Sequence, residues 1–161
     1  MDMLRRAGKK VVTVGITGRT VTGAHGIPVI ADCEPKDLPH GKIECLILPG
    51  GMPGTKNLDE SPETDALINR TLSDGGRLAA ICAAPSVLGK RGLLRGKKAT
   101  CYPSFEKFLE GATFATEKVV TDENVTTSRG AGTAMDFALE LVSQLVSPEK
   151  SEELGAGVIF G

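Results

Sequence analysis

The amino-acid sequence predicts an α/β fold, a mostly parallel sheet with helices on both faces. Apolar, largely β-branched or aliphatic runs (VVTVGI at 11–16, KIECLIL at 42–48, RLAAI at 77–81) read as strands buried on two faces. Segments of helical periodicity alternate with them, which is the pattern of strands joined by crossover helices. Glycines stand at the ends of the apolar runs instead of gathering in a linker.

Taken in order, Lys10–Ile16 is expected as a buried strand. Gly18–Gly26 is turn-rich and closes on Gly23-Ala24-His25-Gly26. Ile27–Ala31 is a short extended piece, and Pro28 inside it favours a sheet edge, where a missing N–H is tolerated. Lys42–Leu48 is a second core strand, broken by Pro49-Gly50-Gly51-Met52-Pro53-Gly54. Ser61-Pro62-Glu63 opens a helix: a hydroxyl at the cap, proline at the first helical position, an acid facing the dipole. That helix runs to about Ser73, and Gly75-Gly76 supply its left-handed stop. Arg77–Ile81 is the third strand, and Cys82 begins the turn into a helix ending near Gly92. Lys98–Tyr102, Val119–Thr121 and Val125–Thr127 are shorter strands. Over Thr133–Val146, the residues Met135, Ala138, Leu139, Val142, Leu145 and Val146 make one apolar helical stripe. Ser147-Pro148-Glu149 opens a last helix.

A length of 161 residues suits one domain, so residues 1–161 are expected to form a single unit. Hydrophobic residues at 40% and charged residues at 24% are the composition of a globular chain. Nineteen Lys+Arg against twenty Asp+Glu leave a formal charge of −1, which offers no broad pull toward nucleic acid or anionic lipid. The longest apolar stretch, Leu78–Ala84, is far short of the ~20 residues that span a bilayer. The charged start Met1-Asp2-Met3-Leu4-Arg5-Arg6 carries no apolar signal segment, so a cytoplasmic address is expected. The four cysteines, Cys33, Cys45, Cys82 and Cys101, form no C-x-x-C pair and have no histidine at finger spacing, which argues against structural zinc.

In an open α/β sheet, ligands sit beyond the carboxyl ends of the strands. Three loops fall there: Pro49–Gly54, Cys82–Pro85 and Ser128–Thr133. Cys82 follows a strand and opens a helix, where free N–H groups favour a thiolate and a sharp turn lifts the side chain off the sheet. Small neighbours, Ala80 and Ala83, leave room for that turn. Core filler is the competing reading of a lone cysteine. Gly50 and Gly51 supply side-chain-free N–H groups that, with Ala83, could hold a negative oxygen beside Cys82. The same glycines also suit a plain strand-to-helix loop. Gly130-x-Gly132 fails the dinucleotide fingerprint, since Met135 stands where Gly or Ala is needed, and no phosphate loop is present. No nucleotide cofactor is therefore expected. Of the two histidines, His40 reads as a turn residue, and His25 fits a site or a turn equally. Tyr102 ends a strand and could offer its hydroxyl to the same cleft or stand as a half-buried aromatic.

Four motifs in order, L-I-L-P-G-G at 46–51, A-A-I-C-A-A-P at 79–85, A-T-C-Y-P at 99–103 and T-S-R-G-A-G-T-A at 127–134, resemble the DJ-1/ThiJ/PfpI superfamily, in its bacterial ThiJ-like branch. The likeness extends from Arg5-Arg6-Ala7-Gly8 to the C-terminal helices. It implies a flavodoxin-like three-layer sandwich, usually a homodimer, with Cys82 as the reactive cysteine on a nucleophile elbow. It further implies an anion pocket formed by the Gly51 and Ala83 N–H groups, and His25 and Arg6 near the site mouth at the dimer interface. Tyr102 takes the place where some members have histidine. Ala83 stands where the protease-like branch has histidine, so that triad is absent. The activity implied is a cofactor-free glyoxalase or deglycase acting on small aldehydes, or, alternatively, an oxidation-sensing thiol protein with holdase-like chaperoning. The family's first strand and its glutamate-bearing turn have no counterpart here, and an N-terminal piece is expected to precede Met1.

Overall fold

Short apolar strands alternate with helices along residues 1–161 of the computed structural model. Helix α1 (Asp2–Arg6) leads to strands β1 (Thr20–Thr22) and β2 (Pro28–Ile30). After these come β3 (Cys45–Leu48), α2 (Gly54–Glu60), α3 (Pro62–Ser73), β4 (Arg77–Ile81) and α4 (Pro85–Lys90). The second half holds β5 (Lys98–Ala99), β6 (Thr113–Phe114), β7 (Val119–Asp122), β8 (Val125–Ser128), α5 (Ala134–Leu145) and α6 (Pro148–Gly157).

The main sheet has the order β3-β4-β8-β7. Its first three strands are parallel, with Leu46 opposite Leu78 and Ala80 opposite Thr127. β7 returns antiparallel to β8, with Val120 opposite Thr127. Side chains alternate across the pleat, so a central strand feeds two cores. From β4, Leu78 and Ala80 enter a cluster with Leu48, Ile68, Val87, Leu88, Leu94 and Val125. Ala79, on the opposite face, joins Met3, Leu4, Phe137, Leu141 and Val142. This two-sided burial is why β4 is apolar from Leu78 to Ile81, after Arg77, as a flavodoxin-like α/β sandwich requires. No helix is long and apolar enough to cross a membrane.

The helix ends follow local chemistry. α3 has Pro62 at its start and Glu63 and Asp65 in its first turn, and Gly75 ends it at φ +68°. Ser61 does not cap the backbone; its hydroxyl donates to Glu63 Oε2 at 2.6 Å. At α6 the cap forms as expected, with Ser147 Oγ accepting from the Lys150 N–H at 3.2 Å.

Several expected elements differ. Residues 10–16 form no strand, because their pairing is a single parallel bridge between Val14 and Cys33, too short to make a ladder. The segment 18–26 is not all turn: Thr20–Thr22 pairs antiparallel with the edge strand Pro28–Ile30. Lys98–Tyr102 keeps only two strand residues, since the Thr100 N–H donates to Thr127 Oγ1 at 2.9 Å and the Tyr102 N–H to the Cys82 carbonyl at 2.8 Å. Those two residues pair with Thr113–Phe114, an unforeseen strand. Helix α2 is also unforeseen.

Candidate active site

β4 ends at Ile81, between the ends of β3 and β8, and the chain then reverses into α4. Cys82 makes the corner at φ +65°, a left-handed conformation that a side chain adopts at a cost of ~1–3 kcal/mol. Its backbone is tied on both sides: the N–H donates to the Ser128 carbonyl at 2.9 Å, and the C=O accepts from the Tyr102 N–H at 2.8 Å. The Ala84 N–H closes the turn onto the Ile81 carbonyl at 3.1 Å. Ser86 fixes the next step, its N–H and hydroxyl both donating to the Ala83 carbonyl at 3.1 and 2.7 Å. Ala83 and Ala84 are buried, and Cys82 itself is half-buried.

The glycine loop presses against this corner. A Cβ added to Gly50 would lie 2.5 Å from the Cys82 Cβ, 2.5 Å from the Ile81 carbonyl oxygen and 3.2 Å from the Ala83 nitrogen. Only glycine fits there. Gly51 follows at φ +87°. Neither the Gly51 N–H nor the Ala83 N–H donates to any protein acceptor. Two unpaired donors on adjacent loops beside Cys82 can hold a negatively charged oxygen.

Tyr102 enters this site through its backbone, and the residue is 49% exposed. The ring lies over Gly130, where an added Cβ would meet it at 3.4 Å. Arg129, one residue earlier, places its guanidinium 6.0 Å from the Phe114 ring centroid. The loop is held in shape by Ser128 Oγ, which donates to the Lys118 carbonyl and shares a hydrogen bond with Thr133 Oγ1. Nothing in the sequence marks the Ser128 carbonyl as the anchor of Cys82; the only hint is that SRGAGT falls at a strand end.

His25 and Arg6 are not brought to the corner within one chain. His25 is exposed in the turn between β1 and β2, and Arg6 pairs with Asp2 on its own helix at 2.7 Å. His40 is exposed as well. The remaining cysteines have other environments. Burial, with Glu106 adding to it, pushes the Cys101 thiol up to about 12, and burial pushes Cys45 up to about 12. Cys33 is half-buried, its sulfur 4.0 Å from the Thr13 carbonyl oxygen. No three His, Cys, Asp or Glu side chains are grouped to hold a metal ion.

Comparison with known proteins gives this geometry a context. The sequence pattern of the DJ-1/PfpI family matches residues 1–144. The chain belongs to the DJ-1/PfpI family. It is 38% identical to Arabidopsis thaliana protein DJ-1 homolog B over 163 residues, which is 99% of this chain and 37% of that protein. The chain therefore spans well under half of that plant relative. The glutathione-independent glyoxalase DJR-1.2 of Caenorhabditis elegans is 36% identical, over 95% of this chain and 82% of its own length. The crystal structure of Drosophila melanogaster DJ-1beta superposes with a TM-score of 0.92 at 37% identity, covering 99% of this chain and 88% of its own. These relatives are eukaryotic, and what the match establishes is the family, not a bacterial branch of it.

Proposed function

We propose that this protein is a cysteine-dependent, cofactor-free enzyme of the glyoxalase or deglycase type, acting on small α-oxoaldehydes such as methylglyoxal or their early glycation adducts. The observation that carries this reading is the strained Cys82 corner with two N–H groups, of Gly51 and Ala83, free beside it. A family member named as a glutathione-independent glyoxalase adds support.

The Cys82 thiolate attacks the aldehyde carbon, a C–S bond forms, and the carbonyl electron pair moves to oxygen. The Gly51 and Ala83 N–H groups receive that developing charge. A proton then passes from C1 to C2 through an enediolate, giving a thioester of the hydroxy acid. Water cleaves the thioester, releases lactate and returns the thiol. The net change is addition of one water to methylglyoxal, so no oxidant, reductant or cofactor is consumed. The proton transfer calls for a general acid/base at the corner, the role a carboxylate fills.

We further propose that the one-domain chain works in the cytoplasm as a homodimer with the hairpin β1–β2 at the interface. Ile27, Val29 and Ile30 expose a contiguous apolar edge there, which supports association. His25 at the hairpin turn and Arg6 on α1 would then stand near the mouth of the site.

The test is lactate formation from methylglyoxal by the wild-type chain and by Cys82→Ser. The variant is expected to lose on the order of 10²-fold or more. Equal rates would reject the mechanism. Gain of two oxygens at Cys82 under mild peroxide, with no aldehyde turnover, would instead support the oxidation-sensing alternative.

A further inference from the structure

Arg129 stands across from Cys82. In the parallel pairing of β4 with β8, Ile81 lies opposite Ser128, so the next residues in register are Cys82 and Arg129. The Cys82 N–H, donating to the Ser128 carbonyl at 2.9 Å, carries the ladder one bond further. Neighbouring strands lie ~5 Å apart, which sets the two backbones side by side at the carboxyl end of the sheet. Side chains alternate between the faces of a strand. Thr126 and Ser128 turn toward α5: Thr126 Oγ1 meets Thr121 Oγ1, which donates to Glu140, and Ser128 Oγ meets Thr133 Oγ1 at the start of that helix. Thr127 faces the other way, and its Oγ1 accepts from the Thr100 N–H. Arg129, two residues on, takes the side of Thr127, where β5 leads into Tyr102.

The contacts of the side chain agree with that placement. Its guanidinium lies 6.0 Å from the Phe114 ring centroid, and Phe114 pairs with Ala99, three residues before Tyr102. The Tyr102 ring covers Gly130, the next residue along the loop. The buried Cys101 thiol registers the same group of charges: burial pushes it up to about 12, Glu106 and Cys82 add to this, and Arg129 opposes it. The Arg129 guanidinium forms no ion pair, with Glu106 or any other acid. Its single hydrogen bond, from Nη1 to the Thr116 carbonyl, is long at 3.5 Å. A half-buried guanidinium on an aromatic ring is weakly hydrated, and its fork of unmatched N–H donors fits the two oxygens of a carboxylate.

We propose that Arg129 binds a carboxylate on the substrate, so that the Cys82 corner prefers small aldehydes carrying a carboxylate to neutral aldehydes of the same size. This rests on the reading of Cys82 as the nucleophile and names the substrate class of that site. The sheet order β3-β4-β8 gives the two negative charges of such a substrate separate partners. Gly51 follows β3 on one side of β4, and its N–H, with that of Ala83, receives the charge that develops on the aldehyde oxygen. Arg129 follows β8 on the other side and holds the charge that is present throughout. The second contact fixes which way round the aldehyde enters, since only one end of the molecule matches each partner.

The experiment compares probes alike in size and different in charge on the full chain. Iodoacetate and iodoacetamide both alkylate the Cys82 sulfur, a C–S bond forming as iodide leaves, and peptide mass gives each rate. The ratio of acid to amide is expected to exceed that of the same chain unfolded in urea by about ten-fold, the effect of one hydrogen bond between charged groups. Arg129→Gln should bring the ratio down by about as much, and Arg129→Lys should keep most of it. Lys10→Gln makes the same change in net charge near Lys9, which pairs with Glu44 ahead of β3, and should leave the ratio as it is. In a second measurement, succinic semialdehyde should protect Cys82 from iodoacetamide at about ten-fold lower concentration than butanal, and Arg129→Gln should remove the difference. An Arg129→Gln ratio equal to that of the wild type, equal slowing of both alkylating agents in that variant, or equal protection by the two aldehydes would overturn the proposal and leave Cys82 as a nucleophile. Protection by neither aldehyde would overturn the enzymatic reading, and this one with it.

Discussion

Substituting Gly50 by alanine tests whether the glycine loop is built onto the Cys82 corner. The new methyl would sit 2.5 Å from the Cys82 Cβ and 2.5 Å from the Ile81 carbonyl oxygen, and neither atom is the tip of a flexible side chain. Both belong to a segment already anchored at the Ser128 carbonyl and the Tyr102 N–H. Something in the backbone must shift. Overpacking of this kind costs ~1–3 kcal/mol, and at ~2–4 °C per kcal/mol for a chain of this size the Tm should fall by about 2–12 °C. A displacement of ~1 Å at a reacting atom should also lower lactate formation by on the order of 10²-fold. Gly54→Ala is the control, because an added Cβ there meets nothing within 4 Å, and its stability should change by no more than ~0.5 kcal/mol. Thermal unfolding followed by circular dichroism, together with the rate of Cys82 alkylation by iodoacetamide, reads both effects. Wild-type Tm and alkylation rate in Gly50→Ala would refute the packing of loop on corner.

Further outcomes follow from the same residues. Cys82→Gly should abolish activity yet raise stability by about 1 kcal/mol, seen as a higher Tm, because glycine occupies φ +65° without strain. Asp59 is partly buried, which works to raise its pKa, but hydrogen bonds and charge from Lys90 and Arg91 outweigh that and hold the carboxyl below its ordinary value. A lowered carboxylate stabilises the fold above its unfolded pKa and ceases to do so as pH falls through the folded one. Asp59→Asn should therefore lower the Tm at pH 7, and the gap from wild type should close below about pH 4. Cys45 and Cys101, pushed up to about 12 by burial, should resist iodoacetamide at pH 8 while Cys82 is labelled. Unfolding releases these protons at a lower pH than the folded chain does. Stability should then decline from about pH 9 toward 12, and less steeply in Cys101→Ala.

How much of this was legible depended on whether a residue's partners lie close in sequence. RLAAI reads as a buried strand because its two neighbours, β3 and β8, leave it no polar face. The start of α3 is legible because proline and the acids act within one turn, although Ser61 spends its hydroxyl on Glu63. VVTVGI has the composition of a strand and does not form one, since a strand is defined by a partner and this segment finds only Cys33. Helix α2 carries no cap bond and a single buried residue, Thr55, so no apolar period announces it. At the site, Cys82 stood out from the strand–turn–helix pattern alone. The Ser128 carbonyl and the Tyr102 N–H that secure it are backbone groups far along the chain, and a backbone group leaves no mark in the residue types.

The corner at Cys82 is therefore determined from three directions at once. The end of β8 takes its N–H, the chain leaving β5 supplies an N–H to its C=O, and Gly50 at the end of β3 fills the space beside its Cβ. A single strained residue of ~1–3 kcal/mol persists where two backbone hydrogen bonds, each contributing ~0.5–1.5 kcal/mol, and the burial of Ala83 and Ala84 oppose its relaxation. Because the backbone is consumed by these ties, the sulfur is the one part of Cys82 left without an assigned structural bond. The neighbouring N–H groups of Gly51 and Ala83 are left over for the same reason: their loops are fixed by other atoms. The proposed nucleophile and the proposed oxyanion donors thus depend on one constraint, and a change that loosens any of the three ties, including Gly50→Ala, should weaken both together.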